Sequence, residues 1–132
     1  MLVETICQFT EIKLIVRSQL INRAVFKDNV AESYGGGIYN DEHYYYDHER
    51  PLIANSLFEG NISLDGGGIY NNYSNAKVIN STFTNNQSRF NPAIKSEVPN
   101  RDYIPTIANS IIWSNDSFAD NKLIDSPEET NI

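Results

Sequence analysis

The chain has 132 residues, a formal net charge of -7, 40% apolar and 20% charged residues, and one cysteine. That length suits a single domain. The acidic balance, with no cluster of Lys and Arg, disfavours a phosphate-backbone partner, so nucleic acid is not expected, and Cys7 alone can form neither an internal disulfide nor a paired-thiol redox or metal site.

Residues 1–13 read as an N-terminal segment or partial cap. The start, "MLVETICQFTEIKLIV", sets Glu4 and Glu11 among its apolar residues and lacks the basic head and unbroken apolar stretch of a signal peptide. Apolar runs such as residues 14–16 are far too short to span a membrane. Asparagine occupies 17 positions, and asparagine favours turns over helix interiors.

From residue 14 to residue 118 the chain repeats. "INRAVFKDN" (21–29), "IANSLFEGN" (53–61), "VINSTFTNN" (78–86) and "IANSIIWSN" (107–115) share one pattern. Each opens on an apolar residue, sets Phe26, Phe58, Phe83 or Ile112 five positions later, and places Asn29, Asn61, Asn86 or Asn115 three beyond that. The hexapeptide "GGGIYN" follows the first two copies at 35–40 and 66–71, and "NPAI" (91–94) takes its place after the third. No Lys-Ser/Thr follows the glycines, which argues against a phosphate cradle. Spacings of 32, 25 and 29 residues between the aromatic positions exclude a helical repeat of fixed length. Period-two alternation over short stretches, separated by turn residues, predicts a parallel β-helix of about four coils. Stacking at about 4.8 Å then predicts an inward column of Phe26, Phe58, Phe83 and Ile112, and a second of Ile38, Ile69 and Ile94. It also predicts a ladder of Asn29, Asn61, Asn86 and Asn115, with the glycines at a corner and Tyr39 and Tyr70 facing outward.

The motifs "FKDN", "FEGN", "FTNN" and the doubled "GGGIYN" resemble the paired Phe-x-x-Asn and Gly-Gly-Ala-Ile motifs of right-handed parallel β-helix repeat proteins, especially the polymorphic outer-membrane type of adhesin. The resemblance implies an all-β, right-handed, pectin lyase-like solenoid. It also implies a secreted or cell-surface location for the full-length protein. Residues 119–132 read as an acidic, poorly ordered tail. The missing fourth glycine block and the lack of a clear cap suggest a fragment of a longer protein.

The insertion "DEHYYYDHERP" (41–51) is the most conspicuous interruption. Its His43, Tyr44, Tyr45, Tyr46, Asp47, His48 and Arg50 are the candidate ligand-binding residues, because tyrosine faces stack on sugar rings. Metal ligation by the two histidines and the carboxylates is a weaker reading, and the plainest is a solvated turn whose tyrosines cover a neighbouring coil. A second polar turn, 95–105, holds Arg101, Asp102 and Tyr103. No column of carboxylates and no repeated Asp-x-Asp emerges, so no catalytic residue, metal or cofactor is assigned. The expected function is a non-catalytic, adhesin-like module contacting carbohydrate or a host or cell-surface protein. The alternatives are a fragment of a polysaccharide lyase or hydrolase and a spacer without ligand.

Overall fold

A computed structural model describes residues 6–7, 13–14, 20–41, 50–98, 104–117 and 124–125. These residues are all-β, without a helix, and their strands form four stacks. The first sheet contains β3 (Leu20–Asn22), β6 (Leu52–Ala54), β10 (Lys77–Ile79) and β14 (Thr106–Ala108). The second contains β1 (Ile6–Cys7), β4 (Val25–Lys27), β7 (Leu57–Glu59), β11 (Thr82–Thr84) and β15 (Ile111–Trp113). The third is β8 (Ile62–Asp65), β12 (Gln87–Phe90) and β16 (Asp116–Ser117). The fourth is β2 (Lys13–Leu14), β5 (Ile38–Asp41), β9 (Ile69–Asn72), β13 (Ile94–Glu97) and β17 (Ile124–Asp125).

The chain visits the four sheets in turn, and each strand pairs in parallel with its counterpart one circuit later. This is the expected parallel β-helix. The register is the one the repeat implies, with Phe26 opposite Phe58, Phe58 opposite Phe83, and Ile38 opposite Ile69. In the circuit of Phe26 the third sheet shrinks to two bridges, Val30 to Ile62 and Tyr34 to Asp65. Ile6 pairs with Phe26 and Ile124 with Ile94, so parallel pairing reaches into the segments read as N-terminal segment and tail.

The corners explain part of the asparagine content. Arg23, Asn55, Asn80 and Asn109 turn the chain from the first sheet to the second, and Asp28, Gly60, Asn85 and Ser114 from the second to the third. Gly35, Gly66 and Asn91 turn it from the third to the fourth. All have φ between 49 and 67°. This left-handed region is tolerated best by glycine and next by Asn and Asp, so a solenoid with three such corners per circuit recruits those residues. Only the first glycine of each block therefore serves the turn itself.

The third glycine of the block answers a different demand. A Cβ on Gly68 would lie 2.8 Å from Phe83 Cδ1 and 2.5 Å from the Ala93 carbonyl oxygen; Gly37 meets Phe58 and the Gly68 oxygen in the same way. At the equivalent Ala93, the next residue in the Phe column is the smaller Ile112, and a methyl group is present. Gly68→Ala is expected to lower stability by about 1–3 kcal/mol through overpacking, measured by urea unfolding. Ala93→Gly should cost no more than about 1 kcal/mol.

Inside the tube each sheet presents one column. Ile21, Ile53, Val78 and Ile107 point in from the first sheet, and Ile38, Ile69 and Ile94 from the fourth; all are buried. Phe26, Phe58 and Phe83 fill the second. Their rings stack at 4.7 and 4.6 Å with interplanar angles of 6 and 3°, so ring separation copies the coil spacing. Ile112 packs at the end of this column. The third sheet turns in only small residues, Ser63 and Ser88 beside Ala31, which leaves room for the phenylalanines.

Among the described residues three buried polar ladders run along the tube, one of them from Asn40 Nδ2 to Asn71 Oδ1 (2.7 Å) and from Asn71 Nδ2 to Ser96 Oγ (3.0 Å). Asn61 Oδ1 accepts from both the Asn29 backbone N–H (3.1 Å) and Asn29 Nδ2 (2.9 Å). Asn86 Oδ1 accepts the same pair from Asn61, and Asn115 Oδ1 from Asn86. The second amide proton of Asn61, Asn86 and Asn115 goes back to the carbonyl of Phe26, Phe58 and Phe83, each at 2.9 Å. Both capacities of the amide are thus filled at a buried corner. A further ladder is of serines. The N–H groups of Ala24, Ser56 and Ser81 donate to the hydroxyls of Ser56, Ser81 and Ser110, and those hydroxyls donate to the carbonyls of Ala54, Ile79 and Ala108.

Candidate contact surface

The amides and hydroxyls of the ladders satisfy one another, whereas Asn75 Oδ1 and Asn91 Oδ1 are buried without a hydrogen-bond partner; the groups able to meet another molecule stand on the outer faces. Of the candidate loop residues, His43, Tyr44, Tyr45, Tyr46, Asp47 and His48 lie outside the described residues, as do Arg101, Asp102 and Tyr103 of the second turn. Arg50 is exposed, immediately before the buried Pro51. Asp41 ends β5 opposite Asn72 and accepts a hydrogen bond from Asn72 Nδ2 (3.3 Å). Among the described residues, no three His, Cys, Asp or Glu side chains gather as a metal site.

The third sheet presents an unusual outer face. Val30, Ile62 and Leu64 stand exposed on it, with Tyr34 and Phe90 at its boundary with the fourth sheet. Val30 and Ile62 are bridge partners, while Tyr34, Asp65 and Phe90 form one row across three circuits. Asp65 accepts from Asn91 Nδ2 (2.9 Å), and the Arg89 guanidinium lies 5.3 Å from the Phe90 ring. Sequence reading passed over these residues because the inward alternation of the third sheet is carried by serine and alanine, not by large apolar groups. The available signal was the apolar residues of "ISLD" on either side of Ser63.

Around the corner, Tyr34, Tyr39 and Tyr70 form an aromatic cluster. Ring centroids are 4.5 Å apart for Tyr34 and Tyr70, 5.6 Å for Tyr39 and Tyr70, and 6.2 Å for Tyr34 and Tyr39. Tyr39 and Tyr70 leave the tube, as their alternation with Ile38 and Ile69 requires, but pointing outward does not leave them open to solvent. Tyr39 is half-buried and Tyr70 only 4% exposed, because Tyr34 and Tyr39 pack against its ring. Burial, followed by a hydrogen bond to the Glu97 carboxylate, pushes the Tyr70 hydroxyl well above the usual phenol range, so it stays protonated and donates. Tyr39 Oη accepts from Asn72 Nδ2 (3.2 Å), the same amide nitrogen that reaches Asp41.

Parallel coils, an inward aromatic column, an asparagine ladder and left-handed corners define a parallel β-helix repeat protein. Two of its units, residues 23–41 and 55–72, match the model of the Chlamydia polymorphic membrane protein repeat. The resemblance expected from the Phe-x-x-Asn and glycine motifs is thereby borne out, on the two units that carry the full "GGGIYN". The third unit, with Asn91, Pro92 and Ala93 at the corner, lies outside the matched residues. No curated protein and no solved structure matched the chain.

Proposed function

We propose that this chain is a non-catalytic, adhesin-like module of a cell-surface protein, contacting carbohydrate or protein through its outer faces and loops. The observation that carries the reading is the concentration of exposed apolar groups. Of the eight large hydrophobic side chains exposed among the described residues, Val30, Tyr34, Ile62, Leu64 and Phe90 belong to one face. Contiguous apolar surface on a soluble face marks a site of contact. The matched repeat is one of membrane proteins, which supports a surface location for the protein that carries these coils. The outward carboxylates Asp41 and Asp65 are engaged by neighbouring amides and form no acid–base pair, which favours contact over catalysis. The 41–51 insertion, with His43, Tyr44, Tyr45, Tyr46, Asp47, His48 and Arg50, is a second proposed contact.

The test is binding of the labelled protein to cultured cells. Ile62→Lys with Leu64→Lys is expected to reduce binding at least tenfold, roughly the loss of 1.4 kcal/mol or more, at an unchanged melting temperature. Undiminished binding by this variant would remove the face from consideration. Binding of the parent protein no stronger than that of an unrelated β-helix would overturn the function. Tyr44→Ala with Tyr45→Ala reports on the loop in the same assay.

A further inference from the structure

We propose that Tyr34, Tyr39, Asp41 and Asn72 form a binding ledge for an uncharged pyranose sugar, at the corner between the third and fourth sheets. The inference rests on the surface-contact reading and gives it a ligand and an address where the apolar face, with which it shares Tyr34, meets the start of the 41–51 insertion, with which it shares Asp41.

Three features select this chemistry. Tyr34 is 42% exposed and its ring is backed by Tyr70, which holds it in place; Tyr39 continues the aromatic surface 6.2 Å away. An aromatic face supported in this way offers a flat apolar platform to the C–H face of a sugar ring, with little ordering left to do on binding. Beside it runs a polar row. Asn72 Nδ2 bridges Tyr39 Oη and Asp41 Oδ1, while Asn72 Oδ1 receives no hydrogen bond from the described residues. A row of amide, carboxylate and phenol oxygens next to an aromatic platform suits ring hydroxyls, which both donate and accept. The stacking of strands fixes the row, since Asp41 and Asn72 are register partners on adjacent strands.

The charge around the ledge decides the class of sugar. Asp41, Asp65 and Glu97 border it, with Asp65 opposite Tyr34 and Glu97 opposite Asn72, and they outnumber Lys95, which is opposite Tyr70. On a chain of net charge -7 these carboxylates disfavour uronic or sialic acids. A protein partner is better served by the Val30, Ile62 and Leu64 face, where a large apolar area lies free of this polar row.

The test is a glycan array carrying neutral hexose and N-acetylhexosamine oligosaccharides beside uronate and sialylated ones, probed with the full chain. Signals are expected on neutral glycans only. Tyr34→Ala and Asn72→Ala should each weaken binding about tenfold, and Tyr34→Phe should retain it, because the ring face is what the sugar meets. Equal melting temperatures guard against misfolding, and Ile62→Lys with Leu64→Lys should leave glycan binding intact. No neutral-glycan binding, a preference for acidic glycans, or full binding by Tyr34→Ala would each overturn the ledge. If cell binding still depends on Ile62 and Leu64 in that event, the surface-contact function stands with a protein partner and only the ledge falls.

Discussion

Asn61→Ala is expected to lower the unfolding free energy by about 3–5 kcal/mol, enough to consume much of the margin of an ordinary domain. Alanine removes the acceptor used by both the backbone N–H and the amide of Asn29, and the donor to the Phe26 carbonyl. These groups are buried, and each one left unsatisfied costs about 1–3 kcal/mol. Urea unfolding measures the loss, with an unchanged m-value showing that the native state keeps its extent. Asn61→Asp sharpens the test. An aspartate retains the acceptor for Asn29 but places an anion against the Phe26 carbonyl and the Asn86 amide oxygen, so only its protonated form can donate there. Its folded pKa must therefore lie above the unfolded value of about 3.9. The folded state then binds more protons, and stability falls as pH rises through the folded pKa. The variant should be most stable below about pH 4 and approach Asn61→Ala near neutrality. A pH-independent deficit would show that the ladder is not the source of the loss.

Phe58→Ala is expected to cost about 3–5 kcal/mol, the range for emptying a fully enclosed aromatic site. Phe58 is the middle ring of the stack, with both faces covered, by Phe26 at 4.7 Å and Phe83 at 4.6 Å. The cavity cannot close readily, because the backbone of adjacent circuits is held apart by the parallel strand bonds on either side. Phe58→Leu should cost markedly less, since most of the volume is kept. Ile112→Ala should also cost less than Phe58→Ala, because Ile112 is only partly buried at the end of the column. Thermal or urea unfolding of the three variants ranks them; equal losses at positions 58 and 112 would contradict a continuous stack.

Much of the fold could be read before the structure. Phe26, Phe58 and Phe83 declare themselves because a solenoid requires the same residue type to recur wherever the same environment recurs. Asn29, Asn61, Asn86 and Asn115 do so because an amide is the side chain that both accepts from one circuit and donates to the next. The serine ladder was equally present in "ANS" and "INS" but went unread, since serine is also common in ordinary turns. The glycine blocks were located correctly as corners. Their division of labour was hidden, because Gly35 and Gly66 are required by φ whereas Gly37 and Gly68 are required by a phenylalanine of the following circuit.

The outer surface was less legible. Tyr39 and Tyr70 have equivalent places in the repeat, yet one is half-buried and the other almost wholly enclosed, because Tyr34 exists in only one circuit and packs its ring 4.5 Å from that of Tyr70. Position in the repeat cannot report such a contact, which joins one irregular residue to a neighbour in the next circuit. The candidate ledge depends on the same circumstance. Asp41 and Asn72, 31 residues apart in sequence, meet through strand register, while the rings of Tyr34 and Tyr39 meet across the corner turned by Gly35.

The sequence by itself therefore determined the coil: its inward columns, its ladder and the residues at its corners, all of which repeat because each circuit solves the same stacking problem with backbone strands about 4.8 Å apart. Only the tertiary structure decided which outward residues become neighbours, how deeply each is covered, and which face of the solenoid stays apolar. Outward positions are under no requirement to stack like on like, so their grouping arises from contacts between circuits and across corners.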